Sequence, residues 1–120
     1  MSLNKILLIG NLGCDPEVRY TPGGKPVTAF QLATHRRYKT EGELKQETEW
    51  FRVVCFGRLA EISGEFLKKG KPVFIEGRIR TRSWVDSEGS KHYRTEVVAE
   101  GLSMIGKQDQ ENLSPGGGVE

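Results

Sequence analysis

The chain has 120 residues, 36% hydrophobic, 8% aromatic and 28% charged, a size and balance that suit one globular domain with a modest core. The longest apolar run, Ile6 to Ile9, is too short to span a bilayer, and the first five residues lack the apolar stretch of a secretory signal. A cytoplasmic protein without a membrane partner is expected. All 18 Lys and Arg lie within residues 1–107, which carry +5, while residues 108–120 carry −3, so the body is mildly basic and suits a polyanion.

Residues 4–12 (NKILLIGNL) predict a strand buried on both faces, because apolar residues run through it without alternation. Gly13 and Asp15-Pro16 break it, and residues 17–21 lead to a turn at Pro22-Gly23-Gly24. A second strand follows over 26–36, with Phe30 and Leu32 on one face and the smaller Ala29, Gln31 and Ala33 on the other. Residues 39–49 are charged and poor in apolar groups, which predicts an exposed loop or hairpin tip around Gly42. Residues 50–57 form a third strand. The period then lengthens: Leu59, Ile62 and Phe66, with Leu67 beside them, predict a short amphipathic helix closed by Gly70. A long fourth strand, 72–85, ends at the turn Asp86-Ser87-Glu88-Gly89, and a fifth runs from about His92 to Ala99. From Lys107 onward there is no periodicity, and a disordered tail is expected.

Five strands with one helix between the third and fourth is the element order of an all-β OB-fold Greek-key barrel. Successive side chains on a strand point to opposite faces. In the third strand Trp50, Arg52, Val54, Phe56 and Arg58 therefore share one face; in the fourth, Phe74, Glu76, Arg78, Arg80, Arg82 and Trp84 do. An ordinary solvated charge or barrel-end aromatic accounts for any one of these residues. The interleaving across two strands is less easily dismissed, since exposed aromatics and a row of like charges both call for a cover. A single nucleic-acid strand supplies one: its bases stack on the rings and its phosphates neutralise the guanidiniums.

Catalysis finds little support, for the chain has no GxSxG, HExxH or P-loop spacing. Cys14 and Cys55 stand in no ligand spacing with His35 or His92, so two free thiols, no metal and no cofactor are expected. Glu47 and Glu49 have no nucleophile near them in sequence and read as solvated.

Several segments, taken together and in order, resemble bacterial single-stranded DNA-binding proteins. They are Asn4-Lys5, Leu8 to Gly13, Asp15 to Tyr20, Thr48 to Val54, Phe56 to Glu61, Ile75-Glu76-Gly77, Arg80-Thr81-Arg82 and Trp84. The resemblance covers about residues 3–106. It implies an OB-fold domain over 1–106 that binds single-stranded DNA, assembles as a homotetramer and serves replication, recombination and repair in the cytoplasm, at the nucleoid. It implies stacking by Trp50, Phe56 and Trp84, with Tyr38 where many members carry another tryptophan. Arg52, Arg58, Arg82 and Lys5 fall at positions expected to meet phosphate; Arg78 and Arg80 join them from strand alternation alone. Three features depart from the family: the loop after Thr34 is slightly shorter, Phe51 stands where a histidine is common, and residues 107–120 read as the start of a Gly-rich linker without the acidic tip. A truncated chain and a member lacking the tip both fit that ending, and replication and repair proteins are expected partners only of a tail that carries it. An RNA-binding or protein-docking module is the competing reading, and an OB-fold nuclease ranks last.

Overall fold

A computed structural model describes residues 1–106. The expectation of disorder over 107–120 lies outside the described residues. The elements are β1 (Ile6–Leu12), β2 (Glu17–Tyr20), β3 (Pro26–Thr40), β4 (Glu43–Phe56), α1 (Gly57–Phe66), β5 (Pro72–Val85) and β6 (Lys91–Met104). The sheet runs β1-β5-β6-β4-β3-β2, and a further pairing of β1 with β3 closes it into a barrel. Most neighbours are antiparallel; β4 and β6 pair in parallel at Val53↔Val97 and Val54↔Val98. With the helix between β4 and β5, this is the expected OB-fold.

Closure depends on one glycine. β1 pairs with β5 from Ile6 to Asn11 and with β3 at Asn11 and Leu12, so it passes from one neighbour to the other within a residue. A Cβ on Gly10 would lie 2.2 Å from the Ala33 carbonyl oxygen, so only glycine permits that crossing. Inside the barrel, Phe30, Leu32, Val53, Val73 and Ile75 pack with Leu8, Leu12 and Val97.

Four expectations are corrected. β1 is buried on one face, not both: Leu8, Gly10 and Leu12 point inward while Leu7 and Ile9 stay 59% and 57% exposed. Residues 17–20 form a strand, β2, paired with β3; all four are exposed, so no apolar period marks them. The charged stretch 39–49 is not a loop. β3 and β4 stay paired out to Thr40↔Glu43, and the two-residue tip holds Glu41 (φ 52°) and Gly42 (φ 78°) in a hairpin turn. Backbone pairing needs no apolar face, so a ribbon polar on both sides escapes a hydrophobic reading. The helix ends at Phe66, short of Gly70, and buries Ala60 and Ser63, followed by Leu67, while Phe66 faces out. Hydrogen bonds to the Ala60 carbonyl from Thr28 Oγ1 (2.8 Å) and Ser63 Oγ (3.3 Å) fix that face. Gly70 instead donates its N–H to Leu12 O at 2.8 Å, tying the segment after the helix to the end of β1.

Candidate nucleic-acid interface

The outward residues of β3 are small, and this opens a groove. Val27 and Ala29 on β3 pair in register with Phe56 and Val54 on β4, forming an apolar floor. Glu17 and Arg19 of β2 line the same groove, as do Arg80 and Arg82 of β5 and Arg94 and Glu96 of β6; the space measures about 520 Å³. Of the three aromatics expected from the sequence, Phe56 (44% exposed) lines the groove, while Trp50 (58%) and Trp84 (38%) lie on the same strand faces as its lining residues Arg52 and Arg82. Trp50 lies against Gly13, where a Cβ would come 2.4 Å from the indole ring.

Two of the three rings, Phe56 and Trp84, have a cation near their faces. The Arg80 guanidinium lies 5.6 Å from the Phe56 centroid; those of Arg82 and Arg94 lie 5.3 and 5.4 Å from Trp84. Trp84 also stacks on His92, directly opposite on β6, with centroids 5.5 Å apart. The His92 Nε2 sits 2.6 Å from Asp86 Oδ2, and this hydrogen bond leads the effects holding the Asp86 carboxyl below its ordinary range. Guanidiniums and the partly exposed rings of Phe56 and Trp84 thus lie side by side across β4, β5 and β6, the mixture of groups that stacks bases and meets phosphates.

Beneath them is a residue the sequence reading missed. Glu96 is 2% exposed, and its oxygens accept from Arg52 Nε (3.0 Å) and Arg80 Nη2 (2.9 Å), with Arg82 Nη2 at 3.8 Å. Burial opposes its ionisation, yet the hydrogen bonds from Arg80 and Arg52 and the charge of Arg82 outweigh it and hold its carboxyl below the usual range. The row of like charges is therefore partly relieved from within the protein, so self-repulsion alone is a weaker argument for a polyanion than the sequence implied. Alternation along residues 92–99 would have placed Arg94 and Glu96 on this face. Their opposition to Arg82 and Arg80 required the β5–β6 register.

The other expected residues scatter. Arg58 does not extend the face of β4: the strand ends at Phe56 and Gly57 (φ 59°) turns into α1, where Arg58 approaches Glu61 at 4.0 Å. Lys5 precedes β1 and pairs with Glu76 at 2.5 Å; Arg78 lies 3.7 Å from Glu100. Neither lines the groove, although Arg78 shares its face of β5 with Arg80. Tyr38 is cross-strand from Lys45, which by alternation puts it on the opposite face of the β3–β4 ribbon from Trp50, with the Arg36 guanidinium 4.8 Å from its ring. Cys14 and Cys55 are free thiols, the first exposed and the second buried. Burial pushes the Cys55 thiol up to about 11. Among the described residues no three His, Cys, Asp or Glu side chains are grouped to hold a metal, and no helix is long and apolar enough to cross a membrane.

A closed barrel with a groove edged by aromatics and arginines defines an OB-fold protein of the oligonucleotide-binding type. Residues 3–105 match the model of the single-strand binding protein family, and the chain belongs to that family. It is 50% identical over 113 residues to single-stranded DNA-binding protein 1 of Xylella fastidiosa (strain 9a5c), a match spanning 92% of this chain and 83% of that protein. A solved structure of the Plasmodium falciparum single-stranded DNA-binding protein in complex with single-stranded DNA superposes with a TM-score of 0.81 at 32% identity. That likeness covers 88% of this chain and 97% of the other.

Proposed function

We propose that this chain binds single-stranded DNA without sequence preference, through its 1–106 domain and without catalysis, in the cytoplasm and in the service of replication, recombination and repair. The observation that carries the reading is a groove lined by Phe56 with Arg52, Arg80, Arg82 and Arg94, flanked along the same faces of β4 and β5 by the exposed Trp50 and Trp84. Stacking favours any base, while arginine contacts to phosphate add a salt-dependent term. Lys5, Arg58 and Arg78, each beside a carboxylate, take secondary roles at most. Family membership and the DNA complex of the Plasmodium relative support the reading, and a homotetramer is the assembly it implies. The exposed Leu7 and Ile9 are apolar groups that another copy would cover.

The chain's only two tryptophans lie on the strand faces that supply the groove, Trp50 with Arg52 on β4 and Trp84 with Arg82 on β5, so titration with oligo-dT should quench their emission and yield an affinity that falls with salt. Emission unchanged at saturating oligo-dT would overturn the reading. A clear preference for matched RNA in competition would replace DNA as the ligand. Light scattering with and without oligo-dT gives subunit number and stoichiometry together.

A further inference from the structure

The groove's guanidiniums are not equivalent. Arg52 and Arg80 each donate to Glu96, a carboxylate with almost no access to water, and Arg82 comes within 3.8 Å of it. Arg80 is the most committed: its Nη2 is on Glu96, and its Nε is buried with no hydrogen-bond partner among the described residues. Arg94 differs. It stands directly opposite Arg82 in register, is exposed, and has no carboxylate within 4.0 Å among the described residues. Its guanidinium lies 5.4 Å from the centroid of the Trp84 ring.

We propose that Glu96 is a positioning residue that holds Arg52 and Arg80 as a fixed wall of the groove, leaving Arg94 as the guanidinium that neutralises phosphate. This rests on the reading that the groove takes single-stranded DNA. A guanidinium already on a buried carboxylate must give up or share that charge-assisted bond to gain one to phosphate, so its net return is small. Arg94 surrenders no carboxylate, only water, screening ions and part of its contact with the Trp84 ring. It also lies over Trp84 beside Arg82, so a phosphate held there belongs to a nucleotide whose base can reach the indole. Arg52 and Arg80 serve chiefly by place: they keep Phe56 and the floor of Val54 and Ala29 open and flat.

The test uses the full chain and oligo-dT, with log K measured against log[salt]. Arg94→Gln should make the slope shallower by ~0.7, the contribution of one phosphate on a single strand, and Arg52→Gln should change it by clearly less. Glu96→Gln separates positioning from bulk charge. Removing a negative charge from a polyanion site should tighten binding by simple electrostatics, whereas loss of positioning should weaken it severalfold and reduce the tryptophan quench. Glu96→Asp, which keeps the charge, should recover part of both. Thermal melting reports whether the Gln variant folds; if it does not, the Arg94→Gln and Arg52→Gln slopes decide alone. The proposal fails if Glu96→Gln binds as tightly as the parent or tighter, or if Arg94→Gln leaves the slope unchanged. Failure of the parent itself to bind oligo-dT would instead overturn the DNA reading, so the two failures are distinguishable.

Discussion

The two long hairpins, β3–β4 and β5–β6, have strands of nearly equal length and reach cationic faces by opposite routes. On β5–β6, nearly all the charge of the outer half is on one face: Arg80, Arg82, His92, Arg94 and Glu96. The other face carries Ile79, Thr81, Ser83, Val85 and Tyr93, with Lys91 at its end. The counter-charge sits inside the basic face, buried. On the outer half of β3–β4 the acids are exported. By register, Arg37 and Lys39 share the Trp50 face with Gln46 and Thr48, while Glu43, Glu47 and Glu49 lie behind with Arg36 and Tyr38. Arg36 Nε donates to Glu47 Oε1 at 2.7 Å, whereas Arg37 Nε donates to the neutral Gln46 at 3.3 Å and has no carboxylate partner among the described residues. A buried carboxylate fixes guanidiniums in place; an exported one leaves them loose. The first arrangement suits a rigid stacking wall, the second a flexible rim.

The largest effect that would break this comparison is at the base of β5–β6. A Cβ on Gly77 would lie 2.3 Å from the Val98 carbonyl oxygen, a backbone atom that cannot yield without parting β5 from β6. Gly77→Ala should cost about 3 kcal/mol or more in chemical denaturation. Gly42→Ala, at the tip of β3–β4, meets nothing within 4 Å and strains only its positive φ, at roughly 1 kcal/mol. Equal losses would show that the two arms do not differ in how they are anchored.

Next comes stacking. Trp84→Ala and Trp50→Ala should each weaken oligo-dT binding by ~1–3 kcal/mol, a range general to proteins that stack single strands and not one taken from this geometry. Trp84 should be the costlier, because its ring also supports Arg82, Arg94 and His92, whereas Trp50 leans on Gly13. The reverse order, read by fluorescence anisotropy of a labelled oligonucleotide, would move the centre of the site from β5–β6 to β4.

These aromatics were legible in the sequence because alternation needs only one strand. The barrel was legible too, through the element order and the change of period at Leu59. What one strand cannot supply is its neighbour. Glu96 opposite Arg80, Arg94 opposite Arg82, and Tyr38 on the far side from Trp50 are facts of register, fixed by turn geometry and closure. β2 and the outer half of β3–β4 escaped for another reason: they bury nothing, so their pairing leaves no hydrophobic trace.

The loose rim makes a smaller prediction. If the Trp50 face of β3–β4 continues the DNA path, Arg37→Gln should make the salt slope shallower by up to ~0.7, and Arg36→Gln, already neutralised by Glu47, should leave it nearly unchanged. Tyr38→Ala should follow Arg36→Gln. A loss of affinity in Tyr38→Ala comparable to that of Trp50→Ala would show that the strand wraps over the edge of the hairpin and uses both faces.

The smallest effect separates the two tips by pH. Asp86 closes the β5–β6 turn: its Oδ1 accepts from the N–H groups of Glu88 and Ser90, both at 2.9 Å, and its Oδ2 faces His92. Its folded-state pKa is lowered, so the ionised form favours the closed turn. The resulting stability is fully present above the carboxylate's unfolded pKa of ~3.9 and is lost as pH falls through the lower folded value. The β3–β4 tip closes instead through the backbone angles of Glu41 and Gly42, and among the described residues no carboxylate accepts a hydrogen bond across it. Acidification from neutral pH to below 4 should therefore speed amide hydrogen exchange at Glu88 and Ser90, relative to the intrinsic rate at each pH, and leave the residues flanking Gly42 unaffected. Asp86→Asn should show that faster exchange already at neutral pH. Parallel loosening of both tips on acidification would mean that the arms respond to net charge as a whole and that the Asp86 contacts add nothing of their own.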